Sequence, residues 1–179
     1  MKQQCVLKSV LALTTIALLL GVTACRPSPP ELPKETELPF ETIERRDWSG
    51  DIGLEPYSGA EPRVILVTSR PEIDQLKLLI TPQAMDQLAR LDFEQYFVIA
   101  VFRGRKPSSG YDTIIERVAR QGNKIVIFAQ FWEPSPYYEV QAEETSSYHV
   151  IKVHRDGSVI RETELALQSR IITPTPPSR

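Results

Sequence analysis

Hydrophobic and polar positions alternate in two different rhythms along this chain. Residues 96–103, YFVIAVFR, are nearly continuous apolar sequence, the pattern of a strand buried on both faces. Residues 124–131, KIVIFAQF, form a second such run, and 63–68, RVILVT, a shorter one. Residues 111–118 carry Thr113, Ile114 and Ile115 in a β-rich context, and Gln121-Gly122-Asn123 turns the chain between them and the next strand. Residues 148–154, YHVIKVH, alternate around Val150, Ile151 and Val153, and Asp156-Gly157 predicts a tight hairpin turn into a strand over Ser158–Arg161. Between the first two runs the rhythm is helical. Ser69 can cap a helix with Pro71 in its first turn and Ile73, Leu76, Leu79 and Ile80 on one face. Thr81 can cap a second, with Pro82 at its first position and Met85, Leu88 and Ala89 on one face. The pattern predicts a single α+β domain, two short helices packed on an antiparallel sheet of about five strands.

The ends of the chain read differently. Lys2 and Lys8 precede an apolar run, Val10 to Val22, that is shorter than the ~20 residues a bilayer-spanning helix needs. A charged start, a short apolar stretch and small residues before a cut describe a signal peptide over residues 1–24. The cut region, Val22-Thr23-Ala24-Cys25, resembles the bacterial lipobox, which implies a diacylglycerol on the Cys25 thiol and cleavage just before it. Two or three acyl chains hold a protein firmly to a bilayer where one does not. Arg26 follows the cysteine where an acidic residue would favour the inner membrane. The expectation is therefore the bacterial cell envelope, and the outer membrane if the source has two. Residues 25–40, with five prolines after the cysteine, read as a linker of polyproline character, able to extend ~3.1 Å per residue. The globular part is expected over 41–170, and a tail without core-forming residues over 171–179.

Composition narrows the function. The formal net charge is −2, and lysines and arginines are scattered rather than clustered, which argues against nucleic acid as a partner. Of two cysteines, Cys5 lies in the leader and Cys25 at the anchor, so no cysteine pair remains for a disulfide or a metal cluster. His149 and His154 lie five apart on one strand and point to opposite faces; each is expected at the surface or a sheet edge, and neither is assigned a metal. No catalytic residue and no cofactor is assigned. Weak hydrolase chemistry from Ser108 or Ser109 stays as an alternative without a G-x-S-x-G frame or a visible base.

Two segments stand out as binding surfaces. The first is the loop Lys106-Pro107-Ser108-Ser109-Gly110-Tyr111, which follows the most apolar strand. Gly110 permits positive φ in the turn, and Pro107 stiffens the approach. The loop is either a hairpin connector with Tyr111 packed beneath it, or a rigid loop presenting hydroxyls and an aromatic to a protein partner. The second is residues 128–138, FAQFWEPSPYY, with Trp132 at its centre, five aromatics and two prolines. Such side chains offer contact area at low entropic cost, so the segment suits an interface as well as a lid over the core.

Residues 96–154 resemble the C-terminal domain of the PrcB family. That pattern is an apolar strand ending in glycine, here VIAVFRG over 98–104, then a Pro-Thr-Gly-Gly-Tyr-like turn, here Pro107-Ser108-Ser109-Gly110-Tyr111. A β-hairpin follows, Tyr111–Phe131, and later a Ser-Pro-Tyr-His-like lead into a strand, here Ser146-Ser147-Tyr148-His149. Ser108-Ser109 stand in place of Thr-Gly, and Ser147 in place of the usual proline. The resemblance implies a non-enzymatic lipoprotein that binds and stabilises a cell-surface protease complex. The same turn is similar to the Pro-Thr-Thr-Gly-Tyr loop of chagasin-type inhibitors of cysteine peptidases, whose other inhibitory loops are not recognisable here. A peptidase inhibitor presenting Pro107–Tyr111 is the alternative reading.

The anchor is directly testable. Cys25→Ala should move the protein from the membrane pellet to the soluble fraction on ultracentrifugation. Persistence in salt-washed membranes would rule out the lipid as the means of attachment.

Overall fold

Strand Tyr96–Phe102 is apolar at every position because both of its faces are covered. In the computed structural model, which describes residues 34–47, 54–55, 57–157 and 163–175, two four-stranded sheets and a helical layer stack on one another. The strands are β1 (Glu35–Glu37), β2 (Phe40–Arg46), β3 (Arg63–Val67), β4 (Tyr96–Phe102), β5 (Asp112–Gln121), β6 (Lys124–Trp132), β7 (Tyr148–His154) and β8 (Glu164–Ile172). The outer sheet runs β1-β5-β6-β8 and the middle sheet β2-β7-β4-β3. Helix α1 (Pro82–Ala89) and a 3₁₀ segment, Arg70–Leu76, form the third layer.

The class is α+β, but the single sheet of about five strands is corrected to eight strands in two sheets among the described residues. The extra strands come from segments whose pattern does not mark them as strands, short or charged in β1 and β2 and helix-like in β8. Residues 35–40, expected as linker, contribute β1, the buried Leu38 (2% exposed) and the first residue of β2. The first two residues of the expected tail, Ile171 and Ile172, complete β8, which pairs with β6 in parallel. The strand expected over Ser158–Arg161 lies outside the described residues. Both edges of β7 are paired, with β2 and β4. The next described strand, β8, belongs to the other sheet.

Side-chain alternation sorts the two cores. Phe97, Ile99 and Val101 of β4 and Ile151 and Val153 of β7 face Ile115, Val118, Ile125, Ile127 and Phe131 of the outer sheet. The alternate residues, Val98, Ala100, Phe102, Tyr148 and Val150, face Leu76, Ile80, Ala84 and Leu88 of the helical layer. At ~25 cal/mol per Å², this double burial of the middle sheet is the main stabilising term.

Of the two expected helices, the second forms with the expected cap and start: the Thr81 hydroxyl accepts from the Ala84 N–H at 3.2 Å, with Pro82 first. Its packed face, however, is Ala84 and Leu88 with Met85 half-buried, and Ala89 is exposed. The first is 3₁₀ rather than α. Its Ser69 side chain makes no cap, and the Glu72 carboxylate accepts the Thr68 N–H at 2.7 Å. Leu78 at φ +69 ends the run. Glu44 joins the layers: it accepts from the Thr81 hydroxyl at 2.7 Å and the Tyr148 hydroxyl at 3.0 Å.

His149 is buried at 3% exposure between the sheets, not at the surface as expected, while His154 on the opposite face is exposed. Both sheets carry a register shift beside His149, between Thr42 and Glu44 in β2 and between Ile115 and Arg117 in β5. The Ile115 N–H donates to Nδ1 at 2.8 Å, which makes Nδ1 the acceptor and Nε2 the protonated nitrogen, 2.9 Å from the Thr42 hydroxyl. A bulge leaves a backbone donor without a ladder partner, and the imidazole supplies the acceptor across the sheet–sheet interface.

Burial, and secondarily the nearby Arg45, lower the His149 pKa from 6.5 to about 4. Between those values the unfolded chain binds the proton and the folded chain does not, so stability falls as pH falls from 6.5 towards 4. The full loss is about 3 kcal/mol. Denaturant melts at pH 7 and pH 4.5 should show this slope, and His149→Gln should flatten it. An unchanged slope in the variant would assign the acid sensitivity to other groups.

Candidate functional site

Strand β4 ends in Arg103-Gly104, and the geometry there decides how the following loop is held. Gly104 has φ +92, and a Cβ would lie 2.5 Å from the Ala60 carbonyl oxygen, so only glycine fits. The Arg105 N–H donates to the Gly59 carbonyl at 2.9 Å. Arg103 turns inward and is 2% exposed. Its guanidinium donates to the Trp132 carbonyl and, at 3.1 Å, to the Glu133 carboxylate, and it lies over the rings of Tyr111 (4.8 Å) and Phe131 (5.2 Å). Desolvation pulls the Arg103 pKa down and the Glu133 charge opposes it. An arginine nonetheless keeps its charge. One cation thus fixes the end of β4, the start of β5 and the end of β6.

The loop is tied on its other side to residues 141–145. Lys106 and Thr145 exchange backbone hydrogen bonds at 2.8 and 3.0 Å. The Ser109 N–H donates to the Gln141 carbonyl at 2.9 Å, and the Ser109 hydroxyl accepts from the Gln141 N–H at 3.0 Å. The Thr145 hydroxyl donates to the Ser108 carbonyl at 2.7 Å. Ser109 therefore holds the loop together, and the Ser108 contribution is its backbone. Gly110 has the positive φ read from the sequence, +88, and its position is closed by Pro134, 3.0 Å from an ideal Cβ. Tyr111 is half-buried beneath Arg103, while Pro107 is exposed.

The aromatic segment divides by position along β6. Phe131 enters the core, and Phe128 on the outer face lies under the Arg117 guanidinium at 3.8 Å. Trp132 is half-buried, its indole N–H donating to the Gln130 side chain at 2.8 Å. Tyr137 and Tyr138 are 63% and 69% exposed. Ser109, Gly110, Trp132, Pro134 and Tyr138 line one open cleft of about 470 Å³. The two segments singled out in the sequence are thus walls of the same cleft, and Tyr138, not Tyr111, is its exposed aromatic, with the exposed Tyr137 next to it in the chain. Among the described residues no group of acidic, histidine or cysteine side chains is arranged to hold a metal. The ring nitrogens of His149 are engaged by Ile115 and Thr42, and His154 Nδ1 lies 2.8 Å from the Arg155 carbonyl, so neither histidine is bonded to Ser108 or Ser109. Cys25 lies outside the described residues.

Each element of the sequence resemblance now has a structural role. The strand and its glycine, the turn and the Ser146–His149 lead-in converge: the Arg103 N–H donates to the Ser147 carbonyl at 3.0 Å, and the Thr113 and Ser147 hydroxyls bond at 2.7 Å. Residues 97–154 match the family model of the PrcB C-terminal domain. The PrcB match spans β4 through β7, the two central strands of each sheet, and includes the whole loop and both walls of the cleft. No curated protein and no solved structure matches the chain significantly.

Two substitutions test this geometry. Arg103→Ala leaves the Trp132 carbonyl and Glu133 without their donor and should destabilise the domain by about 2–3 kcal/mol in chemical denaturation. Gly110→Val forces a β-branched residue to positive φ against Pro134 and should cost more than ~1 kcal/mol. A neutral result for either would mean the loop relaxes without loss.

Proposed function

We propose that this chain is a membrane-anchored, PrcB-like accessory lipoprotein without catalysis of its own, which binds and stabilises a protein partner, a cell-surface protease complex being the reading the family resemblance favours. The observation that carries the binding role is Tyr138, exposed at the wall of a cleft whose loop backbone is pinned on both sides, with the exposed Tyr137 next to it in the chain. Large aromatics held in solvent by a rigid frame lose little entropy when a partner covers them, which is how interface hot spots are built. The lipobox resemblance supports the anchor, and the PrcB match supports the accessory role. The exposed Pro107 on a loop fixed by Lys106, Ser109 and Thr145 favours, as a second reading, insertion of that loop into a peptidase cleft.

Capture from detergent-solubilised membranes by the immobilised full chain, read by mass spectrometry, tests the first reading. A protease should be the main species recovered, and Tyr138→Ala or Trp132→Ala should reduce its capture by tenfold or more, corresponding to losses above ~1.4 kcal/mol. The melting temperature of Tyr138→Ala should stay within a few degrees of wild type, because an exposed ring contributes little to folding. Equal capture by both variants would remove the cleft from the interface. Inhibition of the recovered protease by the chain, lost on altering Pro107, would favour the inhibitor reading.

A further inference from the structure

Four strands lie at the edges of the two sheets, and three are blunted. Strand β1 has three residues, β3 has five, and β2 is broken by its register shift and carries Glu41, Glu44, Arg45 and Arg46. Strand β8 has nine residues, pairs with β6 in unbroken register and contains neither a proline nor a charge on its core-facing side. Proteins normally protect such an edge, because its free N–H and C=O groups template pairing with another strand. Its hydrogen-bonding phase is fixed: the Glu164 N–H donates to the Asn123 carbonyl at 3.0 Å, and the Ile172 carbonyl accepts from the Glu133 N–H at 2.8 Å. In a parallel ladder each residue directs both backbone groups to the same side, alternating along the strand. Leu165, Leu167, Ser169 and Ile171 therefore present their N–H and C=O groups outward, and no described strand takes them.

We propose that two copies of this chain pair through β8, antiparallel about a two-fold axis at Leu167, joining their outer sheets into one of eight strands. Self-complementarity identifies the occupant. With Leu167 opposite Leu167 of the other copy, Glu164 lies opposite Arg170 and Ala166 opposite Gln168. These fall at non-hydrogen-bonded positions, where side chains approach most closely. Glu164 and Arg170 are 69% and 62% exposed, and within one copy they already pair with Lys124 (3.1 Å) and Glu116 (2.8 Å). Across the axis the row reads Glu116, Arg170, Glu164, Lys124, alternating in sign from one copy into the next. A slip of two residues puts Glu164 opposite Ile172 and Arg170 opposite Ala166, which removes the pairing. The axis is a closed two-fold, so association stops at the dimer.

Sedimentation of the full chain in density-matched detergent tests the proposal, with a reversible monomer–dimer equilibrium expected. Ser169→Pro removes an outward N–H without touching a bond to β6, and should abolish the dimer with an unchanged far-UV circular dichroism spectrum. Arg170→Glu should weaken dimerisation about tenfold or more, and Glu164→Arg added to Arg170→Glu should restore most of it. Should Ser169→Pro fail to fold, the charge pair decides alone. A monomer at every soluble concentration, or a dimer indifferent to Arg170→Glu, overturns the proposal.

Discussion

Strand β4, at the centre of the middle sheet, is buried on both faces, and the remaining architecture follows from that. A strand with one wet face can alternate, but β4 cannot, because one set of its side chains meets the outer sheet and the other meets α1 and the 3₁₀ segment. Strand β7 shares both cores and admits polar residues only at Lys152 and His154, on the far end of its helix side, and at His149 between the sheets. Polar groups admitted to this layer must find partners inside it. His149, Thr113 and Ser147 do so by bonding between the sheets, which sets how the sheets lie on each other. The two register shifts beside His149 are thus part of the sheet–sheet contact, since a regular ladder would leave the imidazole without its donor.

The cleft depends on this frame. Arg103 is the residue at which β4 leaves the buried layer, and its side chain turns back to hold the strands that follow. A buried cation is costly unless paired and saturated, and here it meets a carboxylate, a carbonyl and two aromatic faces. This expenditure at the base of the loop makes Ser109, Gly110 and Trp132 a fixed surface rather than a mobile one.

Sequence pattern alone located β3, β4, β6 and β7 almost to the residue, because double burial or clean alternation writes itself into composition. It did not locate β1, β2 or β8. FETIERR in β2 is mostly exposed and charged, and ELALQSRII in β8 reads as well for a helix as for a strand; only the partners β7 and β6 make them strands. The positive φ at Gly110 was legible, since few residues tolerate it. The burial of His149 was not, because its acceptor role answers a bulge in β5, whose donor Ile115 lies 34 residues earlier in the chain. Arg103 reads as one more charge in an RGRK run until β6 brings Trp132 and Glu133 beneath it. The proximity of Ser109 and Trp132 likewise required the β5–β6 hairpin to fold them together.

Strand β8 also sets an order in time. It is the last of the described strands, yet it closes the flank of β6, pairing Lys124 with Glu164 and Trp132 with Ile172 across a crossover from the middle sheet. Such non-local parallel pairing forms slowly, since the loop must close before any contact offsets its entropy. Until the C-terminus arrives, IVIFAQF stands with one backbone edge open, a sequence of high β-propensity without charge or proline. A chain cut before β8, by a nick or a premature stop, would keep its middle sheet but expose this segment permanently and lose Pro174 from the cleft wall. Aggregation, rather than simple unfolding, is the failure such a truncation selects.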